Sequence, residues 1–556
     1  MTILGLTSPL SWNQAAAIVK NGKLLAVVEE ERFNRIKHSP RMPPYKSIEF
    51  CLRFAKVLPH DVDAIALGYR SPFAYYWRSV LENLKERDFK RLIREGGALA
   101  EYIVGTVRLM EWLETKGFRI KGQNKAEIKF YPHHVVHAAS AYRCSGFEKA
   151  NVITLDGQGE DDSGSIWEAR DGRMKKIHKI GHHQSIGWVY HETTDILGFK
   201  PHSHEGKVMG LAGWGKKKLP VGEIWEAGEF DYKLKHGWCK KFWKKFGPRR
   251  RREDSLTERH KNIALTVQNF TEKAGISLVN KAYKKTGMNK FCLAGGVALN
   301  CDMNAKIWEL PLVEKIFIQP ASDDAGTAIG GALELANELC ENADFEMRHA
   351  YWGPEYSNRE IETVLKEAKI NYEKVKDIEK IVAQKLAEGK IVGWFQGRLE
   401  IGPRALGNRS ILAHPGLPGM KAKINREVKH RELWRPFAPS ILHDRGEEYF
   451  ENYCFNPFML LTLKCKKKAL KDLSQAIHID GTARHQSVIA ETNPRYYKLI
   501  SEFAKISGIP AVLNTSFNDA EEPLVNSPKD AIRTFFGTGL DMLAIGDYIV
   551  SKGNLF

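Results

Sequence analysis

Residues 152–178 read VITLDGQGEDDSGSIWEARDGRMKKIH. The apolar start predicts a strand, the glycines after Leu155 predict a loop, and Asp171-Gly172 predicts a tight hairpin between two further strands. Residues 3–28, ILGLTSPLSWNQAAAIVKNGKLLAVV, repeat this order with a hairpin at Asn21-Gly22. Two copies of one strand–loop–hairpin unit predict a duplicated α/β domain with two facing lobes, whose ligand loops lie opposite each other.

Two junctions between a strand and a helix follow the second repeat. An apolar run at 291–294 leads into Gly295-Gly296, and Asp323-Asp324 precede the small-residue helix pattern of 325–332. Such junctions direct backbone N–H groups toward a phosphate, although tight packing alone also requires small residues. The pattern breaks at 351–357, so we expect domains at 1–350 and 351–556.

Length and composition limit the class of protein. A chain of 556 residues exceeds what one hydrophobic core usually supports, and 43% apolar residues are typical of globular domains. No apolar run approaches the ~20 residues of a membrane span, which predicts no membrane association. The first residues resemble no secretory signal, so we expect a cytoplasmic protein. The eight cysteines form no Cys-x-x-Cys pair, which argues against a zinc knuckle.

The net charge is +17, and much of it lies in residues 233–252, where lysines and four consecutive arginines alternate with tryptophan and phenylalanine. Basic residues mixed with aromatic ones can bind nucleic acid. We favour a solvated lysine-rich insertion, because the segment contains no recognisable binding module. The excess positive charge attracts anionic small molecules under either interpretation.

The second half of the chain contains an arginine-rich loop, GRLEIGPRALGNRS, at 397–410. Guanidinium groups bind phosphate and carboxylate oxygens in pairs, and glycines let backbone N–H groups approach the same anion. Residues 425–440 add Lys429, Arg431 and Arg435. The nearby acidic residues are few, so we expect a phosphate-type ligand rather than a surface network of ion pairs.

His133 and His137 lie one turn apart on a predicted helix, a spacing that suits two imidazoles on one metal ion. A carboxylate would complete a set typical of Fe(II), and spacing alone leaves both Asp323 and Asp324 open. Glu205 and Lys207, in a glycine-containing segment, could bind a ribose and a phosphate. A surface ion pair beside a turn explains that pair equally well.

Six motifs in order resemble the NodU/CmcH (TobZ-like) carbamoyltransferase family, across essentially the whole chain. They are EEERFNRIKH at 29–38, HHVVHAASA at 133–141, EGKVMGLA at 205–212, AGGVALN at 294–300, DAGTA at 324–328 and GPRALGNRS at 402–410.

The resemblance implies a duplicated actin-like (ASKHA, Kae-type) domain followed by an α/β YrdC-like domain. It implies that the second domain forms carbamoyl adenylate from carbamoyl phosphate and ATP, with Mg for the ATP. The first domain, with Fe(II) or another divalent metal, would transfer the carbamoyl group to a hydroxyl of a small-molecule acceptor. Nucleic acid is not an expected partner of this activity, and homodimer formation is compatible with it.

The resemblance also assigns roles to residues of this chain. It implies that carbamoyl phosphate and nucleotide are bound in the second domain by Arg404, Lys429, Arg431, Arg435, Arg484, Asn514 and Ser516. It implies that the metal is held by His133, His137 and Asp324, and it selects Asp324 over Asp323. It implies an adenylate pocket in the first domain, lined by Lys37, Glu205, Gly295, Gly296 and Asn300.

The chain departs from the family near the first hairpin. The family usually has a His-Asp pair there, whereas this chain has Trp12-Asn13, and neither side chain accepts a proton at neutral pH. Another base would then serve, with Asp156 or a metal-bound hydroxide as candidates, or the acceptor is more acidic or an amine, or transfer is lost. Two alternatives stay open: a threonylcarbamoyl-type transferase acting on tRNA, which the basic segment 233–252 would support, and a nucleotide-binding module without catalysis, which Trp12-Asn13 would support.

Overall fold

The computed structural model describes residues 1–85, 89–122, 125–339 and 341–552. It contains two compact units. Unit 1 comprises residues 1–34 and 38–347, and unit 2 comprises residues 35–37 and 348–556. The break expected at 351–357 lies just beyond the start of the main part of unit 2.

The first sheet of unit 1 is built from the first repeat. Its strand order is β3-β2-β1-β4-β5, with β1, β2 and β3 antiparallel and β4 and β5 parallel to β1. Asn21 and Gly22 both have positive φ, as the predicted hairpin requires. The strands are β1 Thr2–Leu6, β2 Ala15–Lys20, β3 Lys23–Glu29, β4 Ala64–Leu67 and β5 Glu127–Phe130.

The second sheet has the same topology. The strands that follow are β6 Lys149–Gly159, β7 Asp162–Arg170, β8 Arg173–Gly181, the separate pair β9 Trp225–Ala227 and β10 Tyr232–Leu234, then β11 Lys290–Ala294 and β12 Lys315–Ile318. In the order β12-β11-β6-β7-β8, a meander of three antiparallel strands is extended by two parallel ones. The predicted duplication is therefore confirmed, and the mixed α/β class with it.

Two helices connect the sheets. Helix α11 packs on β1 and β2, α5 packs on β6 and β11, and the two helices pack on each other. A Cβ atom at Gly330 would overlap the carbonyl oxygen of Val136, so glycine permits this close approach. The helices of unit 1 are α1 Glu31–Asn34, α2 Tyr45–Ala55, α3 Pro72–Lys85, α4 Phe89–Thr115, α5 His133–Tyr142, α6 Ile186–Ile196, α7 Glu205–Ala212, α8 Trp238–Phe246, α9 Glu258–Thr286, α10 Cys301–Trp308 and α11 Ala325–Glu338.

Unit 2 contains one mixed sheet with apolar residues buried on both faces. Helices α13 and α16 cover one face and α12, α14 and α17 the other. The helices are α12 Asn358–Glu367, α13 Ile378–Ala387, α14 Met420–Glu427, α15 Lys467–Asp472, α16 Pro494–Ser507 and α17 Pro528–Gly537. The strands are β13 Glu373–Lys374, β14 Val392–Phe395, β15 Arg409–Ala413, β16 Ala438–Leu442, β17 Leu463–Lys464, β18 Thr482–Ala483, β19 Gln486–Val488, β20 Ala511–Ser516, β21 Met542–Ile545 and β22 Tyr548–Ser551.

The order of the large sheet is β13-β22-β21-β14-β15-β20-β16-β19, and β17 and β18 form a separate pair. Strands β14 and β15 flank the arginine-rich loop, which the sheet therefore anchors at both ends. The YrdC-like assignment of this unit stays a prediction.

The basic segment 233–252 forms part of unit 1 around α8. Phe242 and Phe246 are buried, and the indole N–H of Trp243 donates to Glu192 at 2.6 Å. Lys240, Lys241 and Lys244 are exposed. These aromatic side chains are thus used in packing, which supports the solvated-insertion interpretation.

No helix among the described residues is both long and apolar enough to cross a bilayer. No disulfide joins the cysteines of the described ranges, and Cys340 lies outside those ranges.

Candidate metal and anion sites

Four side chains converge in unit 1. His133 and His137 come from the first turns of α5, Asp156 from β6, and Asp324 from the residue before α11. One donor atom from each lies within 4.8 Å of every other. The Nε2 atoms of the two histidines are 3.0 Å apart, about the spacing of neighbouring ligands around an ion bound at ~2.1 Å.

The carboxylates approach the same imidazole nitrogens. Asp156 Oδ2 lies 3.2 Å from His133 Nε2 and 3.7 Å from His137 Nε2. Asp324 Oδ1 lies 3.5 Å and 3.9 Å from the same two atoms. Both histidines are fully buried, so each carboxylate faces them in a region of low dielectric constant.

Hydrogen bonds outside the group orient its members. His133 Nδ1 lies 3.1 Å from the Gly68 carbonyl, and donation there leaves Nε2 as the nitrogen that faces the carboxylates and that would bind an ion after losing its proton. Asp324 Oδ2 accepts from the backbone N–H of Trp12 at 2.7 Å, and Asp156 Oδ1 accepts from the backbone N–H of Gly296 at 3.2 Å. Each carboxylate therefore uses one oxygen for orientation and presents the other to the histidines.

The electrostatics favour a cation at the centre of the group. Burial opposes a charge on His133, but the hydrogen bond that it donates to Asp156 and the charge of Asp324 raise its pKa to about 9. Burial and the neighbouring His133 lower the pKa of His137. Burial opposes ionisation of Asp156, yet its contacts with both histidines hold its pKa well below the ordinary value. The group thus retains one positive charge between two carboxylates, which a divalent ion would replace with release of the proton.

The donor set fits a divalent transition metal, because two imidazoles and two carboxylates are the ligands that Fe(II), Mn(II) and Zn(II) accept in proteins. The geometry includes Asp324 in this set, whereas the carboxylate of Asp323 accepts from the side-chain amide of Asn13. Asp156, which the sequence put forward as a base, lies inside the same group.

The glycine-rich junction after β11 lies beside this group. Gly295 has φ of +88° and its Cβ position is blocked by the backbone of Leu155, so the backbone comes close to β6 there. Asn300 caps α10 by accepting from the N–H of Met303, and its amide also contacts Gln268. The side chain of Asn300 is thus engaged within the fold.

The other residues predicted to bind adenylate have local contacts too. Glu205 begins α7 and accepts from the backbone N–H of His202 at 2.6 Å, and burial raises the pKa of its carboxyl. The ammonium of Lys207 lies 5.5 Å from the centre of the Phe199 ring. Lys37 is grouped with unit 2, where its charge adds to the cations near Lys429, and not with the pocket predicted for the first domain.

The arginine-rich loop of unit 2 is organised around one buried carboxylate. Glu400 Oε1 accepts from the backbone N–H groups of Leu406 at 2.8 Å, Asn408 at 2.8 Å and Arg409 at 3.1 Å. Arg409 is buried, donates to the backbone carbonyls of Gln396 and Gly397, and lies over the ring of Phe395. Arg398 likewise donates to the Gly353 carbonyl. Two of the three loop arginines therefore hold the backbone in place, and Arg404 is the one that stays a candidate ligand.

A cluster of buried cations lies in the same unit. Burial and the charges of Arg431 and Arg435 hold the pKa of Lys429 well below its ordinary value. Burial and Arg435 lower the pKa of Arg431 in the same way, and Arg484 adds to the repulsion. Burial also lowers the pKa of Arg435, against which Glu432 acts. We call Lys429, Arg431, Arg435 and Arg484 the cation cluster.

Oxygen atoms from the end of β20 hold the lysine of this cluster. Lys429 Nζ donates to the carbonyl oxygen of Ser516 at 3.0 Å and to that of Asn518 at 2.6 Å. The Asn514 amide nitrogen donates to the Ala405 carbonyl at 3.1 Å, while its buried oxygen has no partner among the described residues. The structure thus brings Lys429, Asn514 and Ser516 to one end of β20, beside the arginine-rich loop.

Sequence reasoning missed two participants. Asp156 was considered as a base and not as a ligand, although its place after an apolar strand and before a glycine-rich loop is a signal for a ligand-binding carboxylate. In the sequence Glu400 is only one of the few acidic residues near the arginines of this loop. Its role as an acceptor for three backbone N–H groups leaves no pattern in the sequence.

Unit 1 is thus a duplicated mixed α/β domain, and its buried histidine–aspartate group is a candidate metal centre. Two family models match the chain, "Carbamoyltransferase N-terminus" over residues 2–333 and "Carbamoyltransferase C-terminus" over residues 383–552. The chain therefore belongs to the carbamoyltransferase family and is an enzyme of the transferase class.

Named relatives agree with this assignment. Nodulation protein NolNO of Sinorhizobium fredii is 36% identical over 99% of this chain and 80% of its own length. A Synechocystis protein, sll1178, is 36% identical over 99% of this chain and 96% of its own. The 3'-hydroxymethylcephem-O-carbamoyltransferase of Streptomyces clavuligerus is 32% identical over 46% of this chain and 47% of its own.

Proposed function

We propose that this protein converts carbamoyl phosphate, ATP and water to carbamoyl adenylate, phosphate and pyrophosphate in unit 2, and transfers the carbamoyl group to a hydroxyl of a small molecule in unit 1. The cation cluster carries the first half of the proposal. Burial and mutual repulsion lower the pKa values of Lys429, Arg431 and Arg435, and the charge of Arg484 adds to that repulsion. This arrangement costs free energy unless an anion is bound. A phosphate dianion would offset that cost.

The chemistry suits such a site. Carbamoyl phosphate and the triphosphate of ATP both carry several negative charges, and the reaction between them brings those charges together. Arg431, Arg435 and Arg484 would bind the phosphate oxygens in pairs. Lys429, which β20 already holds, would neutralise charge that develops on the leaving pyrophosphate.

The histidine–aspartate group of unit 1 supports the second half. A divalent metal bound by His133, His137, Asp156 and Asp324 would act there as a Lewis acid toward the carbamoyl carbonyl. Gly295 lets the backbone pass close to an adenylate, and Gly296 directs its N–H to Asp156. This role makes Asp156 a ligand and leaves the proton of the acceptor hydroxyl to another side chain.

The test is release of pyrophosphate from ATP by the purified chain, with and without carbamoyl phosphate. We expect release that requires carbamoyl phosphate and falls at least about 100-fold in Arg404→Ala and Arg484→Ala, since each removes a charge from the anion site. Arg426→Ala is the matched control, because Arg426 is exposed and, within the ranges that the structure describes, forms an ion pair with its neighbour Glu427 alone. ATP binding without any release would contradict the proposal and favour a non-catalytic nucleotide-binding module.

A second measurement, the binding of tRNA at different salt concentrations, distinguishes a small-molecule carbamoyltransferase from a transferase that acts on tRNA. Binding of tRNA that weakens steeply with salt would support that alternative. The packing of Phe242 and Phe246 inside unit 1 takes two of the four aromatic rings of segment 233–252 away from stacking on bases, which favours the small-molecule acceptor.

A further inference from the structure

Trp12 connects the histidine–aspartate group to another imidazole. Its backbone N–H donates to Asp324 at 2.7 Å, while its indole N–H donates to the carbonyl oxygen of His202 at 3.0 Å. The Trp12 and His202 rings also contact each other, with centroids 4.4 Å apart. A single residue therefore separates the imidazole of His202 from the candidate metal centre.

The backbone at His202 is held in an unusual conformation. Its φ is +61°, in the left-handed region that only a few per cent of residues other than glycine adopt, with asparagine, aspartate and histidine the most frequent among them. The Glu205 carboxylate accepts from the His202 N–H at 2.6 Å, and the Trp12 indole binds its carbonyl. Two side chains thus maintain a strained residue, a pattern that is frequent at functional sites.

The ring of His202 is placed to exchange protons. No hydrogen bond in the described part of unit 1 engages either of its nitrogens, and the residue is exposed although the ring packs between Trp12 and His191. By contrast, Nδ1 of the neighbouring His204 accepts from the Lys200 N–H.

The charged and titratable groups around His202 leave it neutral near pH 7. Desolvation lowers the pKa of its imidazole, Asp156 and Asp324 act in the opposite direction, and Arg41 lowers it again. Glu205 faces the backbone N–H, and His191 faces the ring with a pKa of about 4, which makes His191 the weaker base.

We propose that His202 is the proton acceptor for the hydroxyl that attacks the carbamoyl group. The inference rests on the proposed function. The acceptor oxygen forms a bond to the carbamoyl carbon, its proton passes to a ring nitrogen of His202, and the bond from that carbon to the phosphate oxygen breaks. AMP leaves with the electron pair, the product is a carbamate ester, and imidazolium returns the proton to solvent.

The test uses His202→Gly and His202→Asn in the full chain. Both residues tolerate a positive φ, so these variants remove the imidazole and keep the backbone conformation. With ATP and carbamoyl phosphate present, AMP formation is measured with 1 M glycerol as the hydroxyl probe and water as the competing one. We expect a decrease of about 100-fold or more in both variants.

Three further readouts separate a base from a structural residue. Hydroxylamine, which needs no base at neutral pH, should be carbamoylated at the wild-type rate by both variants. Added imidazole should restore AMP formation in His202→Gly. Pyrophosphate release in a single turnover should be unchanged in both His202 variants. As a control, His191→Gln should keep the wild-type ratio of the rates with glycerol and with hydroxylamine.

Several results would overturn the inference. One is an equal decrease in the rate of AMP formation with glycerol and with hydroxylamine in the His202 variants, and another is no recovery of His202→Gly by imidazole. A third is that His191→Gln loses glycerol reactivity selectively as the His202 variants do. The last is that the wild-type chain releases pyrophosphate but forms AMP no faster than carbamoyl adenylate does in free solution. Failure of the proposed function is distinguishable, because the wild-type chain would then release no pyrophosphate.

Discussion

Asp324 and Asp323 are adjacent acidic residues with different surroundings. Asp324 presents Oδ1 to both histidines while Trp12 holds Oδ2. Asp323 is bound by Asn13, and burial, followed by the charges of Glu29 and Asp324, raises its pKa to about 7. Two adjacent residues therefore differ in role. Asp324 is a candidate metal ligand, whereas Asp323 holds the side chain of Asn13 in the loop between β1 and β2.

This difference predicts unequal effects on metal binding. Asp324→Asn should weaken binding of Fe(II) or Mn(II) by at least about 100-fold, because it removes a charged donor from the group. Asp323→Asn is the matched control and should change the affinity by less than about tenfold. Titration calorimetry under anaerobic conditions measures both, and equal losses would mean that the group binds no metal through Asp324.

At the level of secondary structure elements, α5 and α11 set the geometry of the metal centre. Helix α5 supplies both histidines, and Asp324 immediately precedes α11. Gly330 allows the two helices to touch, since any side chain there would meet the Val136 carbonyl. The distance between the helices therefore fixes the distance between the histidines and Asp324.

Gly330→Ala tests this coupling. The added methyl group should push the helices apart, destabilise unit 1 by about 1–3 kcal/mol and weaken metal binding. Gly206→Ala is the control, because Gly206 lies in α7 and a Cβ atom added there would meet no atom within 4 Å. Thermal unfolding and metal titration report the two effects. Unchanged metal affinity in a destabilised Gly330→Ala protein would show that the centre adapts to helix spacing.

The loop between β14 and β15 is the corresponding element of unit 2. Because Glu400 accepts from three of its backbone N–H groups, Glu400→Gln should loosen the loop and displace Arg404. We expect faster hydrogen exchange at residues 401–409 and at least tenfold slower pyrophosphate release. Glu427→Gln serves as the control, since that carboxylate pairs with exposed Arg426. Unaltered exchange in Glu400→Gln would contradict the role of Glu400.

For the whole molecule, buried histidines make folding stability dependent on pH. His485 is fully buried, and desolvation lowers its pKa to about 4. An imidazole that is neutral in the fold and ordinary in the unfolded chain contributes full stability above about pH 6.5 and loses it as the pH falls toward 4. The unfolded chain binds the extra proton in that window.

We therefore expect His485 to lower the free energy of unfolding by about 2 kcal/mol between pH 7.5 and pH 5. The variant His485→Phe, which keeps the ring contact with Phe450, should show a correspondingly smaller loss. Urea unfolding at each pH, monitored in unit 2 by hydrogen exchange in β19, measures the difference in the free energy of unfolding between wild type and variant. An identical pH dependence in wild type and variant would assign acid sensitivity to other groups.

The arrangement of strands was accessible from the sequence. Both hairpins carry Asn-Gly or Asp-Gly between apolar runs, so the repeat that predicts the duplicated sheet consists of residues adjacent in the chain. Strand β11 was predictable for the same reason, because the apolar run at 291–294 specifies it locally. The proximity of His133 and His137 could likewise be predicted, because residues four apart lie on the same face of a helix.

The remaining features depend on contacts between distant parts of the chain. Asp156 joins the histidines because β6 ends beside α5, and Asp324 joins them because Gly330 lets α11 approach. Arg398 and Arg409 resemble ligands in the sequence but are used by backbone carbonyls. Composition and short-range pattern therefore determined the family, the sheets and the residue types available. Which of those residues meet, and which are consumed in holding the backbone, was decided by packing, since hydrogen bonds and charge interactions depend on distances that no local pattern encodes.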